Sequence, residues 1–467
     1  MNRKALIGIG ASVTVVILIA AALIFNVESM ISGDEGIFLI DFDHEAAGVH
    51  VRELVSNGPR MSGSDAELAG AEYIQSQFVE AGLEDVHIES YPVPMFEVVN
   101  ADFSLVEYRP ILNIPAPLGE MVAYEHMTDF VLQGYSGSRS WNSFRDDLTV
   151  VNIGNGTDPG SYDQSAGRVC FIEQTAETPS NSDVYFSAYN SGARAIILQN
   201  CMRGETIGYP PMFKSNQNPL DYDNYPDIPF FMVSRGVGDE ILDKAGTHKL
   251  RIDFNVRVET MEIRVVVGDM KGERDPEKLI VIGGHHDTCY NTIGVVDNTV
   301  GPATIIEMAR SMVKYETDKT IRFCTFGGEE EGLFGSIEYY AAHEAEFRKN
   351  VDLYINFDMP HTDEEETRYT ITTTMNSSIP RLRDLVDDLV REESSLERYD
   401  INVVWNDMLW PASDHWPFTS HGNPGMGAWG SGCAEYHTYQ DDLRFLNTES
   451  LQIGGRVLGS YALYAAS

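Results

Sequence analysis

Cysteine is scarce in this chain of 467 residues, and its few cysteines do not fall into a pattern. Cys170, Cys201, Cys289, Cys324 and Cys433 are an odd number with no CxxC spacing, so neither a disulfide framework nor a cysteine-held zinc follows. Cys170 and Cys201 are candidates for a bridge, and burial of both in strands is the commoner state. Positive charge is scarce too. The chain has 33 basic residues, only nine of them Lys, against 71 acidic ones, a net charge of −38. Such a surface cannot neutralise phosphates, which excludes a nucleic-acid partner. It suits high salt, and it equally serves plain solubility. Several catalytic motifs are missing. There is no HExxH, since His343-Glu344 is followed by Ala345-Glu346-Phe347. Neither a GxSxG elbow nor a GxxxxGK[ST] phosphate loop occurs.

Length points to two or three domains, and 43% hydrophobic residues are ample for their cores. Residues 5–25 carry no charge and are long enough to cross a bilayer as a helix. Arg3 and Lys4 precede this run, and Glu28, Asp34 and Glu35 follow it. The positive-inside rule then puts the N-terminus in the cytoplasm and the rest of the chain outside a cell membrane crossed once. A cleaved signal peptide competes, with Ala20-Ala21-Ala22 as small residues, and would make the protein secreted. The apolar run exceeds the about 7–15 residues of a signal core, which favours a retained anchor.

Amphipathic patterns predict helices over 44–56 and 64–81. Asn57-Gly58-Pro59 and Gly82 stop them, and Ser64 with Glu67 fits a capping box. Residues 86–93 alternate like a strand. From about 100 to 247 helical periodicity is rare and short β-type runs recur at 149–153, 169–172, 195–198 and 230–233, with helices before Gly192 and over 238–244. The sequon Asn155-Gly156-Thr157 suits an exposed loop of an exported protein. No catalytic constellation is visible in this segment. From about 250 strands and helices alternate. Strands are expected at 251–256, 263–267, 279–282, 321–326, 351–357, 369–373 and 402–405, and helices near 300–315, 336–349, 379–393 and 448–465. This implies an α/β fold, a mixed, mostly parallel sheet flanked by helices. The acidic run 363–366 reads as a solvated loop.

The most informative stretch is 279–297, LIVIGGHHDTCYNTIGVVD. An apolar strand breaks at Gly283-Gly284 into a polar loop, at the end of the strand where α/β sheets build their sites. Side chains alternate, so His285 and Asp287 share one face and His286 takes the other. A carboxylate beside an imidazole is the usual support of a metal-bound histidine. Three further places bring metal-type ligands: Glu329-Glu330-Glu331 after one strand, Asp358 after another, and His437 beside Tyr436. Each alone has a bland reading as surface or turn, but four on successive elements of one sheet do not.

In order, GGHHDT, the helix start at Asp297-Asn298, EEEGLFGS, NFDM, SDHWPF and YHTYQDD resemble the signature of the dizinc aminopeptidase and glutamate-carboxypeptidase-like metallopeptidases, the M28 type. The resemblance covers about residues 40–100 and 250–467. It implies a zinc-exopeptidase fold with two Zn2+ ions, His285 and Asp358 on one, Glu330 and His437 on the other, and Asp297 bridging. It makes Glu329 the general base and Tyr436 a stabiliser of the oxyanion, with His286 and Glu331 at variable positions. Three ligand carboxylates against two dications leave one positive charge, which a bridging hydroxide balances. Asp287 is expected to orient His285, and Asp441 to serve the ligand loop in a similar way. More loosely, GRVCFIEQ, NSGARAIILQN and IPFFMVS resemble a protease-associated (PA) domain. The expected organisation is an anchor (1–30), a first peptidase part (37–100), a PA-like β-rich insert (101–250) and the main peptidase part (251–467). The implied activity is release of N-terminal residues from peptide substrates. Alternatives are a carboxypeptidase, for which Arg381 and Arg383 are candidate carboxylate binders, a glutaminyl cyclase, or a non-catalytic receptor or scaffold. Retention of all five ligands speaks against the last two. Oligomeric state is not legible. Trp405, Trp410, Trp416 and Trp429 are candidates to line an apolar pocket, and core packing is at least as good a use for them.

Overall fold

The computed structural model describes residues 38–111, 114–140, 148–215, 226–364 and 366–467. The apolar run 5–25 lies outside them, and among the described residues no helix is long and apolar enough to cross a membrane.

The chain opens with helices α1 (His44–Val55) and α2 (Asp65–Ala81). Ser64 caps α2 by accepting from the Glu67 amide, and Gly82 ends it at φ 96°, the left-handed turn that glycine adopts without strain. The expected capping box is only half formed. The Glu67 side chain turns inward instead, to Nε2 of His286 at 3.1 Å and to Arg264 at 2.6 Å. A buried carboxylate is better stabilised by two polar partners than by one backbone amide.

Strand β1 (Glu84–Ile111) then runs 28 residues and pairs with β2 (Ile114–Tyr124). A smaller unit follows, with β3 (Phe130–Leu132), β4 (Arg139–Ser140), β5 (Val150–Asn152), β6 (Val169–Gln174), α3 (Asn181–Asn190), β7 (Ala195–Asn200), β8 (Phe230–Val233) and α4 (Arg235–Lys244). Its own five-stranded sheet has the order β3-β8-β7-β6-β5, parallel except at β3–β8. Cys170 is buried in β6, and all five cysteines are free thiols. Strand β9 (His248–Met270) returns antiparallel to β1 along almost its whole length. Two strands were expected here, at 251–256 and 263–267, and one continuous strand is found. The polar stretch between them (Arg257, Glu259, Thr260, Glu262) sits on an exposed ribbon, where no buried face imposes alternation. Both long strands pass residues 100 and 250 without a break.

The remainder supplies β10 (Asp275–His285), α5 (Val300–Met312), β11 (Lys319–Phe326), α6 (Phe334–Ala342), α7 (Glu344–Asn350), β12 (Val351–Phe357), β13 (Arg368–Thr373), α8 (Ile379–Glu392), β14 (Asp400–Trp405), α9 (Trp416–Ser420), β15 (Gly425–Trp429) and α10 (Thr448–Ala466). The single helix expected over 336–349 is two, broken at His343. The main sheet has the order β14-β13-β15-β12-β10-β11-β9-β1-β2, with β12, β10 and β11 parallel at its centre. Both faces are covered. Ile280 and Ile282 of β10 join a core with Phe78, Ile305, Phe323, Phe357 and Val457. Leu279 and Val281 join another, with Phe326, Tyr339, Phe347 and Phe418. That two-sided burial explains the continuous apolar runs read in the sequence. The same alternation fixes which way the polar residues beyond each strand end project.

Candidate metal centre

Strands β10, β11 and β12 end side by side at His285, Phe326 and Phe357, so the residues that follow converge. Nε2 of His285 lies 3.4 Å from Asp297 and 3.6 Å from Asp358. Nε2 of His437 lies 2.8 Å from the other Asp297 oxygen and 3.0 Å from Glu330. The five expected ligands therefore form two groups that share Asp297, one oxygen to each. Cys289 joins the second group: its sulfur, Glu330 and His437 offer ligand atoms within 4.8 Å of one another. Nothing in the sequence singled out this thiol. Both ring nitrogens of His285 and Oε1 of Glu330 are buried without a hydrogen bond. Such groups are costly to leave unpaired, and nitrogen and carboxylate donors at these separations suit zinc. The residues fit a two-metal site.

Each ligand is held from behind. Asp287 sits 3.5 Å from Nδ1 of His285 and accepts from the amides of Glu329 and Glu330 at 3.3 and 3.2 Å. It thus joins the end of β10 to the acidic loop after β11. Burial and the charge of Asp287 push the carboxyl of Glu331 well above the usual range. The Ser62 hydroxyl stands between the two groups and donates to them, 2.7 Å from Glu331 and 3.0 Å from Asp287. Asn298 clasps two strand ends. Its amide donates to the carbonyls of His285 and Phe357, and its oxygen accepts from Gly301 and Met359. The Asp297–Asn298 peptide is cis. Asp441 accepts from the amides of Val296 and Asp297 at 2.9 and 3.0 Å, as expected for a residue serving the ligand loop. His286 points to the opposite face, between Glu67 and Thr325. The fully buried Arg60 donates to the carbonyls of His286, Leu54 and Ile293.

Glu329 is half-buried beside this cluster. Burial and the charges of Asp358 and Glu330 push its carboxyl well up, the environment that suits a group meant to take and return a proton. Tyr436 stacks on His437 with ring centres 3.7 Å apart.

The smaller unit, in which the sequence showed no constellation, reaches into the site. The Phe213 carbonyl accepts from Nδ1 of His437 at 2.8 Å, and the Phe213 amide donates to the His437 carbonyl at 3.0 Å. The first bond fixes the proton on Nδ1 and leaves Nε2 free to act as a ligand. Lys214 donates to the Tyr436 hydroxyl at 2.6 Å, and Ser215 to the Glu331 carbonyl at 3.1 Å. These contacts span 222 and 224 residues of sequence for Lys214 and Phe213 and carry no motif. By contrast, Arg381 stacks on Tyr464 and Arg383 donates to the Val403 carbonyl, so both are engaged elsewhere. Trp410 and Trp429 flank His415, whereas Trp405 donates to the Thr374 carbonyl and is half exposed.

Residues 265–462, which hold all five ligands, match Peptidase family M28. The match falls on the part of the chain that carries the site. The chain is 24% identical to "Aminopeptidase YwaD" of Bacillus subtilis (strain 168) over 97% of its own length and 92% of that protein's. It is 25% identical to an "Aminopeptidase" of Pseudomonas aeruginosa (strain UCBPP-PA14) over 65% of its length, and spans about half (54%) of that relative. Among solved structures, BSAP, described as a zinc aminopeptidase from Bacillus subtilis, shares its fold at a TM-score of 0.69. There the identity is 21%, with 91% of this chain and 96% of that one covered.

Proposed function

We propose that the peptidase is a zinc-dependent aminopeptidase that removes N-terminal residues from peptides. The observation that carries this reading is the shared carboxylate. Asp297 gives one oxygen to the His285/Asp358 group and the other to the Glu330/His437 group, with Glu329 on the adjoining backbone. Two zinc ions held by these five residues would supply Lewis acidity and a hydroxide nucleophile at neutral pH. Glu329 accepts the proton of the attacking water and returns it to the leaving amine. Tyr436 donates to the carbonyl oxygen as that atom gains charge. Glu329 and Asp414, neighbouring carboxyl groups that are not among the five ligands, favour a substrate that presents its free ammonium, which supports an aminopeptidase over a carboxypeptidase. The test is a set of matched peptides, free or acetylated at the N-terminus and free or amidated at the C-terminus, followed by mass spectrometry. Cleavage that requires the free amine supports the reading, and cleavage that requires the free carboxylate overturns it.

We read the smaller unit as a PA-type insert, on the three sequence stretches named above. We read residues 5–25 as a membrane anchor that leaves the peptidase outside the cell. Protease accessibility on intact cells and the membrane partition of full-length against 5–25-deleted protein test the anchor.

A further inference from the structure

We infer that Lys214, delivered by the insert, is a positioning residue that aims the Tyr436 hydroxyl at the substrate carbonyl. The inference rests on the exopeptidase reading and adds a residue to its machinery. An ammonium group only donates. At 2.6 Å, Nζ of Lys214 therefore takes a lone pair of the phenolic oxygen and leaves the phenol's own hydrogen for a third group. A hydroxyl that accepts one strong hydrogen bond is polarised to donate the next one more strongly. In peptide hydrolysis that third group is the carbonyl oxygen as it becomes an oxyanion. Lys214 also lies 4.5 Å over the Tyr436 ring, and Arg203 lies 5.0 Å from the same ring. Both bring positive charge beside the carboxylates of Asp297, Glu329 and Glu330.

The segment that carries Lys214 is not free to drift. Gln133, fully buried, accepts from the Lys214 amide at 3.0 Å and donates to the Met212 carbonyl at 2.9 Å. Phe213 is stacked on Phe96 with centres 5.7 Å apart and is tied to His437 by two hydrogen bonds. One rigid turn of the insert thus sets the tautomer of a metal ligand and the hydrogen-bond direction of its neighbour. The side chain of Lys214 is itself half-buried and makes its bond across the seam between the two units. The arrangement fits a role for the insert in the chemistry as well as in access.

The experiment is a double-mutant cycle on the zinc-loaded full-length protein with Lys214→Met, Lys214→Gln, Lys214→Arg, Tyr436→Phe and the Lys214→Met/Tyr436→Phe pair. Metal content and melting temperature are recorded for each. The readouts are kcat and KM on a leucyl peptide, and calorimetric affinity for a phosphinic dipeptide analogue, whose tetrahedral centre mimics the oxyanion. Lys214→Met and Lys214→Gln are expected to lower kcat by about 10-fold or more, with KM within about 2-fold. Phosphinate affinity should fall by the same factor as kcat/KM, Lys214→Arg should recover most of the loss, and the second mutation should cost nearly nothing once Tyr436 is Phe. An equal cost of Lys214→Met with and without the Tyr436 hydroxyl, or a change confined to KM, overturns the inference. A zinc-loaded wild type that releases no N-terminal residue overturns the aminopeptidase reading instead, and the phosphinate affinities then decide the Lys214–Tyr436 coupling alone.

Discussion

The amide of Glu330 donates to Oδ2 of Asp287 at 3.2 Å, while Oδ1 of the same carboxylate lies 3.5 Å from Nδ1 of His285. A single buried side chain therefore fixes ligands of both metal groups, one through its ring and one through its backbone. Asp287→Ala should free the ring of His285 and the acidic loop together. Its zinc affinity is expected to fall about 10- to 100-fold, measured by competition with a chelator of known affinity. An unchanged affinity would show that the strand ends alone hold both ligands.

Gly284 is the close-approach point of the site. A Cβ there would stand 2.2 Å from the Phe357 carbonyl oxygen, and that oxygen accepts from Asn298. Gly284→Ala must push β12 away from β10, and with it Asp358 from His285. We expect a loss of several kcal/mol, as overpacking in a close-packed core costs about 1–3 kcal/mol or more, together with loss of the zinc held by His285 and Asp358. Denaturant unfolding and metal analysis check both.

A buried histidine makes stability depend on pH. Nε2 of His361 accepts from the Asn447 amide at 2.8 Å, at the start of α10, so the ring must be neutral there. Burial lowers its pKa to about 4. The unfolded chain takes up this proton below about 6.5 and the folded chain only near 4, so the contribution is complete above about 6.5. It is lost as pH falls through that window, by roughly 3 kcal/mol. Urea unfolding at pH 7, 5.5 and 4 should show the decline, and His361→Gln should flatten it. A His361→Gln curve parallel to wild type would assign the slope to other groups.

His285, Glu330 and Asp358 were legible because each lies at or just past the end of an apolar strand, where local periodicity and residue type carry the signal, whereas Asp297 and His437 rested on the resemblance of their motifs. Strand β12 (Val351–Phe357) and Asp358 were readable for that reason. Gly425–Trp429 was not, since GMGAW has two glycines in five residues and no alternation, although it pairs with β12 in the middle of the sheet. Cys289 was not singled out, because only the folded loop brings it to Glu330 and His437. Phe213 and Lys214 were illegible for a different reason. Their roles rest on a backbone carbonyl and a lone lysine in a loop, and only the packing of the insert through Phe96, Tyr290 and Phe213 carries them to the site.

The central claim is that Glu329 moves the proton in a two-metal aminopeptidase site. The most direct test compares zinc-loaded wild type and Glu329→Gln on a peptide with a free N-terminus and on its acetylated twin. The account predicts release of the first residue from the free peptide only. It also predicts a fall in kcat of about 100- to 10,000-fold in the variant, with two zinc ions still bound. A variant that keeps its kcat, or cleavage of the acetylated peptide at the same rate, would contradict it.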